Sequence, residues 1–259
     1  MRSERFTSFD GTGIAYRRWA VTDDGGRPPV ILHHGFAVDS ELNWVATGVV
    51  DRLGADGFDV VTIDARGHGQ SDKPHGSIWY GEDAMARDLS KLADHLGLEH
   101  FDVIGYSMGA IVALVAATQE PRIRRLVVGG VGAGVVELGG VDTRALPAED
   151  LVDALLAEDP AQIPRPAMRE FRAFADMAGA DRLALAAHAS VVRHGPLPYQ
   201  DIRARSLVLA GDADPLADRP EVLASAIGAQ LVIVPGDHLA AVAHPDFVST
   251  ASAFLADSD

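Results

Sequence analysis

The stretch Val103-Ile104-Gly105-Tyr106-Ser107-Met108-Gly109-Ala110 constrains this chain more than any other. Apolar residues of β type run into Gly-x-Ser-x-Gly, and an apolar, helix-like run, Ile111 to Ala117, follows. The order strand, sharp turn, helix holds a serine in a strained backbone conformation with its hydroxyl exposed at the end of a sheet. The flanking glycines have a steric task there, because a side chain at 105 or 109 would strike the adjoining strand or helix. A helix that starts at Met108 aims free N–H groups and the positive end of its dipole at whatever the serine attacks. With 26 glycines in 259 residues, such a pentapeptide arises by chance in roughly one chain in eight, so the context has to carry the reading.

The context is an alternation of strands and helices. Residues 5–20 read as two short strands around the turn Asp10-Gly11-Thr12-Gly13, followed by a polar loop from Asp23 to Pro29. The run Pro29–His33 suits a buried parallel strand, and Asp59–Ile63 suits the next one. A helix is expected over 42–53 and another over 84–96, the latter closed by Gly97. Phe101–Tyr106 feeds the serine turn, and Arg125–Val131 is a further apolar run. Glycines 130, 132 and 134 invite a dinucleotide reading, but Glu137 stands where the fingerprint needs its third glycine. From about 135 to 204 the alternation stops, and helices are expected over 148–158, 165–177 and 181–190. In the second of these, Met168, Phe171, Phe174 and Met177 recur every third residue, as core packing or as the roof of a pocket. Alternation resumes with a strand over 206–210, a helix near 219–227, a strand over 230–235 and a last helix over 245–255. Short connections between alternating elements imply a mainly parallel sheet with helices on both faces. The expected division is therefore a core domain of 1–134 and 205–259, with 135–204 a small helical insertion after the sixth strand. That insertion falls at the C-terminal edge of the strands, where ligands bind.

Composition narrows the function classes. The net charge of −15 disfavours nucleic acid and anionic membrane surfaces, which are bound through basic patches. With no cysteine there is no thiol nucleophile and no Cys-type zinc site. No metal-spaced cluster of His and Asp is evident, so no metal and no cofactor are expected. The first residues lack the apolar stretch of a secretory signal, and no segment has membrane-spanning length. A cytoplasmic protein acting on a small molecule is the expectation.

A serine hydroxyl is a poor nucleophile at neutral pH and needs a base, which in turn needs an orienting acid. In a sheet of this kind the acid comes next in the chain and the histidine last. Asp212-Ala213-Asp214 follows the strand ending at Ala210, and Gly236-Asp237-His238 follows the last strand. Asp214 is the favoured acid, with Asp212 and Glu137 as alternatives, and His238 is the base. His34 and His68 precede the serine, against that order, and His244 suits a helix cap. The oxyanion formed by attack on a carbonyl needs fixed donors. The Met108 N–H is one, and the Phe36 N–H, in the loop after His34-Gly35, is the other. His33, Trp44, Phe171 and Phe174 are candidates for a substrate pocket, three of them apolar.

Together, His34-Gly35-Phe36, Asp64-x-Arg66-Gly67-His68-Gly69-x-Ser71, Gly105-x-Ser107-x-Gly109, Gly211-x-x-Asp214 and Gly236-x-His238 resemble the α/β-hydrolase superfamily over nearly the whole chain. The resemblance implies that fold, a helical cap at 135–204, a nucleophile at Ser107, an acid at Asp214, a base at His238 and an oxyanion hole at Phe36 and Met108. It implies a structural role for the Asp64–Ser71 loop. Ala110 departs from a frequent second glycine, and His33 from a common apolar residue. Because dehalogenases and epoxide hydrolases of the fold carry aspartate at the turn, Ser107 points to the carboxylesterase and lactonase branch. The expected activity is hydrolysis of a small ester or lactone. A carbon–carbon or enol-lactone hydrolase is the rival within the class, and a non-catalytic small-molecule binder the rival outside it.

Overall fold

A computed structural model of the chain describes residues 3–22, 25–191, 193 and 195–257. Eight strands form one sheet: β1 (Glu4–Thr7), β2 (Gly13–Trp19), β3 (Val30–His33), β4 (Val60–Asp64), β5 (Phe101–Tyr106), β6 (Ile123–Gly129), β7 (Arg205–Gly211) and β8 (Gln230–Val234). Their spatial order is β1-β2-β4-β3-β5-β6-β7-β8. β2 pairs antiparallel with β1 and β4, and every later pairing is parallel.

The helices are α1 (Val49–Ala55), α2 (Glu82–His95), α3 (Met108–Ala117), α4 (Ala133–Leu138), α5 (Ala148–Leu156), α6 (Pro166–Met177), α7 (Arg182–Ala189), α8 (Pro220–Ile227), α9 (Ala240–Ala243) and α10 (Pro245–Ala256). Side chains alternate across the sheet, so neighbours in one strand enter different cores. Ile31, Val103, Leu126 and Val208 pack with α2, α3 and α8, while Leu32, Ile104, Val127 and Leu209 pack with α1 and α10. Among the described residues no helix is long and apolar enough to cross a membrane.

Two elements differ from the expectation. The single helix over 42–53 is split: a π-helical turn, Glu41–Val45, is followed by Gly48 at φ 77° before α1 begins. In α6 the buried positions are Met168, Arg172 and Ala175, and Met177 is 81 % exposed. A repeat of three lags the helical turn by about 60° per step, so four such residues fan round the helix, whereas spacings of four and three stay on one side. Sequence patterning also missed α4 and α9, each of six residues or fewer. The glycines before α4 serve packing. A side chain at Gly132 would run into the backbone of Ala217 and Asp218, and the Ala133 N–H donates to the Asp218 carbonyl at 2.9 Å.

The passage from β5 to α3 fixes the middle of the molecule. Ser107 sits at φ 54°, ψ −118°, a strained conformation for a residue with a side chain. A Cβ at Gly105 would collide with the Gly109 carbonyl, and one at Gly109 with the His33 carbonyl. The bare backbone at these two positions lets α3, buried along its whole length, lie directly against β3 and β5. Beside it the Asp64–Ser71 loop is clamped by Arg66. This fully buried guanidinium donates to both carboxylate oxygens of Asp88 at 2.7 Å and to Asp10 at 2.8 Å.

Beneath the ends of β3 and β4, rings of four buried histidines meet. Centroids are 5.8 Å apart for His33 and His34, 5.2 Å for His34 and His68, and 6.0 Å for His68 and His188. Burial disfavours the charged ring, lowering His33 to about 3 and His188 to about 4, with His34 and His68 also lowered. Among the described residues no group of three or more such side chains could hold a metal ion.

Two outcomes follow. A base whose folded pKa is depressed favours the folded state above its unfolded pKa of 6.5, and that contribution is lost as pH falls toward the folded value. Each of His33 and His188 therefore adds about 1.4 kcal/mol per pH unit to the loss of stability below that point. Urea midpoints measured from pH 7 to pH 4 should fall, and His188→Phe should flatten the fall. Gly109→Ala should cost about 3 kcal/mol in the same assay through overpacking. The control Gly54→Ala, whose Cβ meets nothing within 4 Å, should gain up to about 1 kcal/mol.

Candidate active site

β5, β7 and β8 run parallel in one sheet, so the turns after them open on the same edge. The turn after β5 presents Ser107. The turn after β7 presents Asp214, whose Oδ1 accepts the Leu216 N–H at 2.9 Å. The loop after β8 presents His238. There Asp212 Oδ1 accepts the Gly236 N–H at 2.9 Å, and the Ala213 N–H donates to the Gly236 carbonyl at 3.1 Å. Asp212 thus stitches the two loops together, while Asp214 faces the histidine.

The three side chains form a relay. Asp214 Oδ2 lies 2.8 Å from His238 Nδ1, and His238 Nε2 lies 3.0 Å from Ser107 Oγ. An ionised carboxylate can only accept, so Nδ1 carries the proton and donates to it. Nε2 is then left as the acceptor for the Ser107 hydroxyl. The Asp214 side chain is 0 % exposed and that of His238 22 %, so the acid is sealed while the ring reaches the cavity. The loop is held from the β5 side as well, where the Tyr106 hydroxyl donates to the His238 carbonyl at 2.7 Å.

Opposite the serine lies the loop after β3. Gly35 approaches so closely that a Cβ there would stand 3.4 Å from the Ser107 Cβ. The Gly35 N–H is committed to Asn43 Oδ1 at 2.8 Å, and Ala37 adopts φ 65°. The N–H groups of Phe36 and Met108 have no acceptor among the described residues. His34 is tied in: the Ala65 N–H donates to its Nε2 at 2.9 Å, and its Nδ1–H meets the Gly35 carbonyl at 2.7 Å.

Ser107 stands between two cavities. The first, of about 80 Å³, runs toward α2 and α7, with Phe36, Met108, Ile111, Leu146, Leu151 and Leu216 among its walls. The second, of about 380 Å³, opens past His238, Leu42, Phe174, Met177 and Leu239.

The pocket candidates divide. Phe174 lines the second cavity. Phe171 does not reach either; it stacks behind Phe36 at 6.0 Å between centroids. Trp44 and His33 are corrections, both 0 % exposed. The Trp44 ring packs in the core beneath α1, and His33 is the last residue of β3, turned into the protein interior. The alternative acid Glu137 is bound instead by Arg144 and Arg219, which hold it down at about 2. His244 caps α10 by accepting the Asp246 N–H at 3.2 Å. Sequence reasoning passed over Glu82 and His188, both in the wall of the first cavity. Only their apolar neighbours at helical spacing hinted that these positions turn inward.

Residues 28–165 match the family model described as the alpha/beta hydrolase fold. Among curated relatives, the non-heme chloroperoxidase of Streptomyces lividans is 31% identical over 160 residues, 60% of this chain and 55% of that protein. The chain spans about half the length of the first curated relatives it matches. Among solved structures, a hydrolase from Pseudomonas aeruginosa PA01 superposes with a TM-score of 0.77 at 27% identity, covering 98% of each chain. The enol-lactonase from Burkholderia xenovorans LB400 has a TM-score of 0.78 at 21% identity, over 98% of this chain and 100% of that one. An eight-stranded, mostly parallel sheet, the family match over more than half the chain and these superpositions make one finding: the chain belongs to the alpha/beta hydrolase fold family.

Proposed function

We propose that the protein is a serine hydrolase that cleaves a small carboxylic ester or lactone through an acyl-enzyme. The observation that carries this reading is the relay from Ser107 through His238 to Asp214, set beside two unengaged N–H groups. In the proposed reaction His238 Nε2 takes the Ser107 proton as Oγ attacks the carbonyl carbon. The resulting oxyanion accepts from the Phe36 and Met108 N–H groups, and the positive end of α3 favours its charge. As the tetrahedral adduct collapses, the imidazolium hands its proton to the leaving oxygen. A water, deprotonated by the same nitrogen, then attacks the acyl carbon. Its proton returns to Ser107 Oγ by way of His238, freeing the acid.

Two cavities meeting at the serine suit the two halves of an ester: a small one for the acyl group and a wider, open one for the alcohol. Residues 135–204 act in this reading as a cap. Leu146, Ala148, Leu151, His188, Ala189 and Val191 from that segment contribute to the first cavity, and Phe174, Met177 and Ala178 to the second. An enol-lactonase of the same fold supports counting cyclic esters beside open ones in this reading.

A fluorophosphonate probe should label the protein at Ser107, and Ser107→Ala should lose labelling together with about 10⁴-fold or more of kcat on short-chain p-nitrophenyl esters. A Ser107→Ala protein that hydrolyses such esters at the rate of the parent sinks the reading. The two aspartates after β7 should separate in the same assay. Asp214→Asn disturbs the tautomer of His238 and should cost about 10⁴-fold in kcat. Asp212→Asn keeps an oxygen for the Gly236 N–H and should cost less than about tenfold.

A further inference from the structure

The first cavity is apolar except in two places outside the proposed machinery: Glu82, in the first turn of α2, and His188, in the last turn of α7. Both are buried, at 8% and 6% exposure. Burial raises the Glu82 carboxyl above its usual range, and the nearby Arg193 offsets this only in part. The Arg193 guanidinium itself pairs with Asp83 at 2.7 Å. The His188 Nδ1 is sealed from solvent and has no hydrogen-bond partner among the described residues. Nε2 makes no hydrogen bond to another described residue either and is not among the sealed atoms, so it is the ring nitrogen open to a ligand in this cavity; leaving a buried polar atom without a partner costs about 1–3 kcal/mol.

The His188 ring is held in place without using its nitrogens. Tyr80 stacks on it at 5.5 Å and 12°, and Phe36 meets it edge-on at 5.2 Å and 73°. Phe36 is also the residue whose N–H is proposed to hold the oxyanion, which puts the ring one side chain away from the proposed reacting carbonyl. The volume of about 80 Å³ is room for a short acyl group. In its neutral form the imidazole offers one donor and one acceptor, and the carboxyl adds further acceptor oxygens. A hydroxyl, which both donates and accepts, can pair with both groups; a methyl group pairs with neither.

We propose that this cavity selects short acyl groups bearing a hydroxyl, held between the Glu82 carboxyl and the His188 ring while Ser107 attacks the carbonyl. The substrate class is the esters or lactones of short hydroxy acids. This rests on the serine hydrolase reading and adds two specificity-determining residues to it. A site built to pair a hydroxyl discriminates against the apolar isostere much more strongly than an apolar pocket discriminates by size.

The test follows hydrolysis of methyl 3-hydroxybutanoate and methyl 5-hydroxypentanoate by pH-stat titration, against their isosteres methyl 3-methylbutanoate and methyl hexanoate. The parent enzyme should favour at least one hydroxylated ester over its isostere by about tenfold or more in kcat/KM. Glu82→Leu should reverse that preference and raise or preserve kcat/KM on the isostere. His188→Phe, which keeps the stacking with Tyr80, should shrink the preference to within about threefold. Glu82→Gln keeps a donor and an acceptor and should retain most of it. Thermal melting and fluorophosphonate labelling at Ser107 are followed for each variant, so that loss of folding is seen as such. Folded, labelled variants with the same ester preference as the parent overturn this proposal and leave the hydrolase reading standing, as does a parent with no preference. A parent that neither labels nor hydrolyses any of the four esters overturns both.

Discussion

The contact between α3 and the strands beneath it is the constraint from which the rest follows. It exists only because residues 105 and 109 carry no side chain, and at 109 even a methyl group would enter the His33 carbonyl. The close approach drives Ser107 to φ 54°, an arrangement that costs on the order of 1–3 kcal/mol for a non-glycine residue. The fully buried apolar length of α3, packed between β5, β6 and α2, offsets that cost. Local strain at the serine is thus sustained by burial spread over ten residues of helix.

Parallel pairing does the remaining work of assembly. His238 stands 131 positions after Ser107 and 24 after Asp214, yet each of the three lies a few residues past a strand that ends on one edge of the sheet. Once the strands are in register, the reach is settled by short turns. The two aspartates after β7 take different partners there too. Asp212, the nearer to the strand end, is taken by the Gly236 backbone, and Asp214, two residues on, turns under the imidazole.

This explains what could be read from the residues alone and what could not. Strand, turn and helix around Ser107 are local, and the order of the later motifs follows from the sheet, so the relay and the architecture are written into short stretches of chain. The three long helices between β6 and β7 fall within two residues of their expected ends, because each has an apolar stripe. The pocket walls have no such signature. Trp44 looks like a pocket aromatic until the break at Gly48 and the turn of the preceding π-helical segment bury it beneath α1. His33 looks like a polar contact until its place at the end of β3, between β4 and β5, closes it in. Glu82 and His188 come from elements more than a hundred residues apart, and only the packing of α7 near the start of α2 brings them to one cavity.

The buried histidines bear on the chemistry through the charge they do not carry. Desolvation holds His33, His34, His68 and His188 neutral at ordinary pH. Had any of them been cationic, its field in this poorly screened interior would oppose the imidazolium that the proposed reaction creates at His238. With them neutral, the charge in direct contact with that ring is the sealed carboxylate of Asp214 at 2.8 Å. The proposed oxyanion is served by fixed dipoles from Phe36, Met108 and the start of α3, which need no counter-ion and no reorganisation. A floor of neutral rings is therefore suited to a reaction that creates and then cancels a pair of charges: it is polar enough to anchor the loop at Gly35 and Ala65, and it adds no net charge that favours one step over the reverse.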